Sequence, residues 1–362
     1  MQKPKQKIHC KKCSSGNIAK RGFAKNKLQT LQKYQCKDCK SIFTSEQTKG
    51  KTYPLKSILN AVSTYNLGHN LESTKEKINK KYNLNISAKS INNWINQYKS
   101  TCTYAKLRKE AINHYTPKTI INKKSLNHIQ PYTFRYHNAK LGILLKENPK
   151  FTKLKDYIEK INSKQFPHHI FTYNKDKNAN RQRASQIKFT HLKIKTTSKN
   201  NSACKLASLA LNLSTTNKQG HETIQNFFLI NDSETIATEI PTYLTNWDAG
   251  YYSNQKGFVF PLNNYQTPIT GHIDILQIKN NLIHILDYKP DANLKQIQEQ
   301  AIQQLTIYAM ALSKKLNLAL SNFKCTWFDE NNYYEFFPLH AVYEKQVRME
   351  KMELITAIKL VE

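Results

Sequence analysis

Four of the seven cysteines fall within the first 40 residues, as Cys10-x2-Cys13 and Cys36-x2-Cys39, and no other feature constrains a fold as tightly. Each CxxC turn aims two thiolates at one point, and the 22 residues between the pairs form a hairpin that folds the second pair onto the first. That donor set suits a structural, tetrahedral Zn2+. Lys11, Lys12, Lys37 and Lys40 flank the thiols and favour their deprotonated form. A segment this short holds little core of its own, so the metal would supply its folding energy. A redox dithiol pair is the other use of such thiols, and His9 is an alternative ligand. Cys102, Cys204 and Cys325 are scattered, which excludes a disulfide framework.

Charge divides the chain in two. The net charge is +31 over 362 residues, yet residues 1 to 200 hold 43 Lys and Arg against 9 Asp and Glu, while residues 201 to 362 hold 13 against 16. A basic half of this size releases condensed counterions from a phosphate backbone, so nucleic acid is the expected partner. A solvated basic surface is the plain alternative. No apolar run approaches the roughly 20 residues of a membrane span, and no amphipathic anchor accompanies the charge. The segment MQKPKQKIHCKKC lacks the apolar core of a signal peptide, so the expectation is a cytoplasmic, DNA-associated protein with no membrane partner.

Helical periodicity follows the cysteines. Leu55, Ile58, Leu59, Val62 and Tyr65 share one face of a helix over Tyr53 to Tyr65. After a loop at Gly68, Ser73 and Glu76 form a capping box that opens a second helix running to Tyr82. A third, from Ser87, sets Ile91, Trp94, Ile95 and Tyr98 on one side and Lys89, Asn92, Asn93, Asn96 and Lys99 on the other. Three short helices with a polar, cationic last one match a helix-turn-helix, whose final helix offers amides to base edges; a three-helix bundle with a polar face is the alternative. Together with the pattern Tyr34-Gln35-Cys36-Lys37-Asp38-Cys39 and Phe43, this stretch resembles the N-terminal module of insertion-sequence transposases over about the first 100 residues. The resemblance implies sequence-directed DNA binding.

Residues 101 to 185 read as basic helices and linker, helical at Ala105 to His114 and Phe151 to Ile161. Asn174 to Arg183 is basic without periodicity, a loop in which Arg181 and Arg183 are candidates for phosphate contact.

Candidate chemistry lies further on. GHIDILQIKNNLIHILDYKPD, from Gly271, reads as two strands around Asn280-Asn281, with Asp274 between Ile273 and Ile275 and with Asp287 and Lys289 on one face of the second strand. Carboxylates on strands this apolar are costly to bury unless a divalent cation compensates. Lys289 brings an ammonium to the same spot, and a cation pair of this kind serves phosphodiester hydrolysis.

Asp274, twelve residues, then Asp287-Tyr288-Lys289 resemble the metal-binding core of PD-(D/E)XK nucleases. Gln304-Leu305-Thr306-Ile307-Tyr308 resembles the QxxxY motif of the RecB-like branch, and Gly220-His221-Glu222 resembles its histidine motif. The likeness spans about residues 200 to 340. It implies Mg2+ or Mn2+ held by His221, Asp274, Asp287 and the Tyr288 carbonyl, with Lys289 assisting a water and Gln304 and Tyr308 orienting the strand. Glu239, in ETIATEIPTYL, and more weakly Glu222, are further candidates. The CRISPR adaptation nucleases of this branch carry a C-terminal cysteine cluster, whereas only Cys325 stands in that region, so no iron-sulfur site is expected. A Walker loop, a helicase segment and Asp-Asp-Glu transposase spacing are not found. Phe323 to Phe328 and Tyr333 to Phe337 read as a hairpin, and Val342 to Leu360 as a last helix.

The expected organisation is a zinc ribbon at 1–50, a helix-turn-helix at 51–100, the basic region at 101–185 and an α/β, restriction-endonuclease-like domain with a mixed central sheet at 186–362. The expected function is metal-dependent DNA hydrolysis, endonuclease or exonuclease, on duplex DNA, with RNA as another substrate and a homodimer as the form that cuts both strands. The alternative is a DNA-binding regulator or mobile-element protein on an inactive nuclease fold.

Overall fold

The computed structural model describes residues 52–172, 182–189, 197–199, 201–214, 217–256 and 268–342, with 12–13, 15–25, 28–44 and the single residues 8, 10 and 258. It separates into two compact units, Met1–Lys109 with Leu206–Asn231, and Glu110–Lys205 with Asp232–Glu362.

In the first unit, β1 (Ile18–Lys25), β2 (Thr30–Cys36) and β3 (Ile42–Thr44) form a small antiparallel sheet beside the cysteines. β1 is largely exposed, β2 and β3 are mostly half-buried, and Cys10 and Cys36 are the buried hydrophobic residues there. Three helices follow, α1 (Leu55–Asn66), α2 (Leu71–Tyr82) and α3 (Ala88–Tyr98). The capping box expected at Ser73 is corrected: α2 starts earlier, and the Asn70 side chain accepts from the Ser73 backbone N–H at 2.8 Å. Asn competes equally with Ser for an N-cap, and here it lies at the turn. Ser87 caps α3 as its spacing predicts. Ala61, Ile78, Ile86 and Ile91 form the core of the three helices, ringed by Tyr53, Trp94 and Ile95. α8 (Asn217–Asn231) belongs to this unit, where Asn231 Nδ2 donates to Ser63 Oγ of α1 at 2.9 Å.

The second unit is built on a nine-stranded mixed sheet. Its elements are β4 (Ile121–His128), β5 (Gln130–His137), β6 (Gln182–Arg183), β7 (Thr197–Lys199), β8 (Thr235–Leu244), β9 (Ile269–Lys279), β10 (Leu282–Tyr288), β11 (Phe323–Phe328) and β12 (Tyr333–Phe336). They run in the order β4-β5-β8-β9-β10-β11-β12-β7, with β6 alongside β9. β10 and β11 pair in parallel, which requires a crossover, and α10 (Lys295–Leu316) is that crossover. Among the described residues the other α-helices are α4 (Arg108–His114), α5 (Asn138–Glu147), α6 (Thr152–Lys160), α7 (Ser202–Leu211) and α9 (Asn246–Lys256). Asn280 and Asn281 take φ of 49° and 59°, the left-handed pair of a type I′ turn, and thereby set the β9–β10 register. α10 stops at Asn317, in the left-handed conformation at φ 53°.

Residues 101 to 185, read as basic helices and linker, contribute a hairpin to this sheet. β4 and β5 fall there, and Phe134 and Leu126 join the large core with Ile273, Leu276, Ile285 and Trp327. The proposed last helix beyond Val342, the position of His9 and that of Arg181 lie outside the described residues.

Candidate metal centres

Two clusters of metal-binding side chains arise from opposite local circumstances. In the first unit the Cys10 and Cys39 sulfurs lie 3.4 Å apart and those of Cys13 and Cys36 3.5 Å apart, so all four thiols converge on one point. Ser41 Oγ sits 3.1 Å from both Cys10 and Cys39. That hydroxyl pulls the Cys10 thiol down to about 6 and lowers Cys39 as well. At Cys13 the Ser15 amide also pulls down, but the Cys39 sulfur leads the groups that outweigh it, and the thiol is pushed up to about 12. Four thiols in this space cannot all ionise alone. A cation that shares their charge removes the conflict, and the set fits a structural zinc.

In the second unit the sheet register places the acids. Leu286 of β10 and Thr238 of β8 both face Ile275 of β9, so one residue further along Asp287, Asp274 and Glu239 fall in a row across three adjacent strands. Asp287 is only 3% exposed. Burial, partly offset by Lys289 and reinforced by Asp274, pushes its carboxyl up to about 7. Lys289 Nζ pairs with Asp287 Oδ2 at 2.9 Å, so one ammonium faces two acids. Burial opposes the charge on Lys289, and Asp287 and Asp274 more than restore it. A buried carboxylate beside a second one, with a single ammonium to offset them, fits a hard divalent cation.

Gln304 and Tyr308, read from the sequence as resembling a QxxxY motif, lie in the same unit. Lys289 Nζ donates to Gln304 Oε1 at 3.3 Å, and Gln304 Nε2 donates to the Tyr308 hydroxyl at 2.9 Å. Burial, with Asp287, Asp274 and Glu239, holds the Tyr308 hydroxyl well above its usual value. The Tyr288 N–H donates to Asp274 Oδ2 at 3.3 Å, while its own hydroxyl donates to Glu330 Oε2 at 3.2 Å. Glu239 takes φ 56°, a left-handed backbone uncommon for a residue inside a strand. Strain of that kind collects at functional positions.

The remaining sequence candidates stand on other elements. His221 is half-buried and Glu222 exposed, both on α8. Lys89, Asn92, Asn93, Asn96 and Lys99 are all exposed on α3, while Ile91 is buried. Arg183 is half-exposed at the end of β6.

Sequence reasoning missed two features. A Cβ at Gly271 would lie 2.4 Å from Tyr308 Cε1 and 2.6 Å from its hydroxyl oxygen, so only glycine leaves room for that ring. The spacing Gly271-x-x-Asp274 was a readable signal. The other is a chain of imidazoles, with His128 Nδ1 2.8 Å from His272 Nε2 and His128 Nε2 3.1 Å from His168 Nδ1. Tyr132 stacks on His272 at 3.7 Å. Nothing in a linear sequence joins histidines this far apart.

No protein-family model, curated protein or solved structure matches the chain.

Proposed function

We propose that this protein is a metal-dependent nuclease, a RecB-like PD-(D/E)XK fold that hydrolyses DNA held by its N-terminal ribbon and helix-turn-helix. The observation that carries the reading is the buried Asp287 beside Asp274, with the Lys289 ammonium 2.9 Å from the Asp287 carboxylate. Mg2+ or Mn2+ at these acids would polarise the phosphate and lower the pKa of a bound water. In this reading Asp274 and Asp287 hold the ion, with His221 and the Tyr288 carbonyl as further ligands. Lys289 keeps its proton beside two carboxylates, so its part is to position the attacking water and offset the charge that builds on the phosphate. Gln304 bridges Lys289 and Tyr308, accepting from the Lys289 ammonium through Oε1 and donating to the Tyr308 hydroxyl through Nε2, which helps hold the lysine to one orientation. The exposed Lys89, Asn92, Asn93, Asn96 and Lys99 supply phosphate and base-edge contacts.

The test is digestion of closed circular and linear DNA with added Mg2+ or Mn2+. Asp287→Ala with Lys289→Ala should abolish cutting, by a factor of roughly a thousand or more. Cutting that persists in the double variant removes the assignment. DNA binding with no metal-dependent cleavage by the wild-type chain leaves a non-catalytic regulator, and preferential cleavage of RNA redirects the substrate.

A further inference from the structure

The three tryptophans are treated very differently. Trp327 is fully buried, Trp94 is half-buried against Tyr53 with ring centroids 5.4 Å apart, and Trp247 is 91% exposed. A single exposed aliphatic residue needs no explanation, but an indole forgoes the largest apolar burial any side chain offers. Among the described residues no ring or cation rests on Trp247.

Its backbone is nevertheless pinned. Trp247 stands in the first turn of α9, where Asp248 Oδ2 accepts from the Thr245 N–H at 3.0 Å and from Thr245 Oγ1 at 2.7 Å. Thr245 Oγ1 in turn accepts from the Asp248 N–H at 3.2 Å, so the turn is closed reciprocally. Lys315 Nζ pairs with the same Asp248 oxygen at 3.0 Å and lies 4.0 Å from the Tyr243 ring centroid. One helical turn beyond Trp247, Lys314 Nζ stands 3.6 Å over Tyr251. Between the two aromatics, Gly250 leaves open space where a side chain would stand.

An uncovered indole on a fixed helical turn, an open position at Gly250 and a lysine over the aromatic one turn on form a combination with a specific use. We infer that Trp247 is a stacking platform for an unpaired base of a single-stranded nucleic acid, with Lys314 at the adjoining phosphate. A flat ring accepts any base face, and the ammonium meets the backbone that accompanies it. Paired bases are already stacked on their neighbours, so the platform selects single strands, ends or frayed duplex. The inference takes its ligand class from the nucleic-acid reading above and extends it to a second contact surface.

The experiment uses the full-length chain carrying Asp287→Asn, so that no substrate is consumed, and Trp94→Phe, so that Trp247 is the solvent-exposed indole. Its probes are an oligothymidylate of about twelve nucleotides and a duplex of the same length. The oligothymidylate should quench the tryptophan emission. Trp247→Ala in the same background should remove the quench and weaken single-strand binding by about 5- to 100-fold, leaving duplex binding unchanged. Unquenched emission, or equal single-strand affinity in Trp247→Ala, overturns the platform. So does sedimentation in which Trp247→Ala dissolves a dimer, since a second copy would then be the occupant. Quenching by a protein whose parent cuts no plasmid supports the platform while removing the nuclease reading. Plasmid cutting without quenching overturns the platform alone.

Discussion

The cysteine ribbon and the carboxylate row both gather charges that repel one another, but they do so on unequal foundations. The ribbon strands are exposed or half-buried, and its buried cysteines belong to the set that can hold a metal, so a bound ion would serve as the core. The acids of β8, β9 and β10 stand on strands flanked by Ile240, Ile273, Ile275 and Ile285, all fully buried. There the apolar sheet provides the folding energy and the acids draw on it. A metal in the first place would make structure, and one in the second would make use of structure already made.

The largest expected effect breaks the comparison outright if it fails. Chelation, or Cys36→Ala, should unfold β1–β3, because structural zinc contributes roughly 10–16 kcal/mol in isolated finger peptides. Amide exchange reads this: β1–β3 should lose protection while β8–β10 keep theirs. Protection that survives chelation in the ribbon would show a core independent of metal.

A smaller effect probes the apolar foundation of the second site. Gly271→Ala drives a methyl into the Tyr308 ring and should cost roughly 1–3 kcal/mol in urea denaturation. Because the clash needs both partners, Tyr308→Ala should cancel much of that loss in a double-mutant cycle. Additive costs would show that the glycine answers to something other than the ring.

The smallest concerns another charge the sheet unit buries. Lys140 is fully buried, with its ammonium donating to the Asp232 carbonyl oxygen, and burial brings it down to about 7 despite the Asp232 charge. An unfolded lysine titrates near 10.4, so between about pH 7 and 10 the unfolded chain binds more protons and stability rises with pH. Relative to Lys140→Met, the wild-type chain should gain at most about 1.4 kcal/mol per pH unit across that window, measured as the denaturation midpoint at constant salt. Parallel pH profiles for the two proteins would remove the buried amine as the cause.

Legibility followed the range of the forces involved. The cysteine pairs, the Asn280-Asn281 turn, Asp274, Asp287 and the hairpin from Phe323 were readable because short-range chemistry specifies each. The β4–β5 hairpin was not, since Lys123, Lys124 and Ser125 mask the alternation that Leu126 and Phe134 bury. The same applies to the alignment of Glu239 with Asp274. That alignment depends on pairing between strands joined through α9 and residues outside those described, a long-range property no local pattern carries.

The β9–β10 register has a consequence for how this chain can change in length. The twelve residues between Asp274 and Asp287 act as a ruler, folded at its midpoint. One residue inserted within either strand would turn an acid to the opposite side of the sheet. Added at the Asn280-Asn281 bend, the same residue would only lengthen a loop, so insertions and deletions in descendants of this sequence should accumulate there and nowhere else in the hairpin.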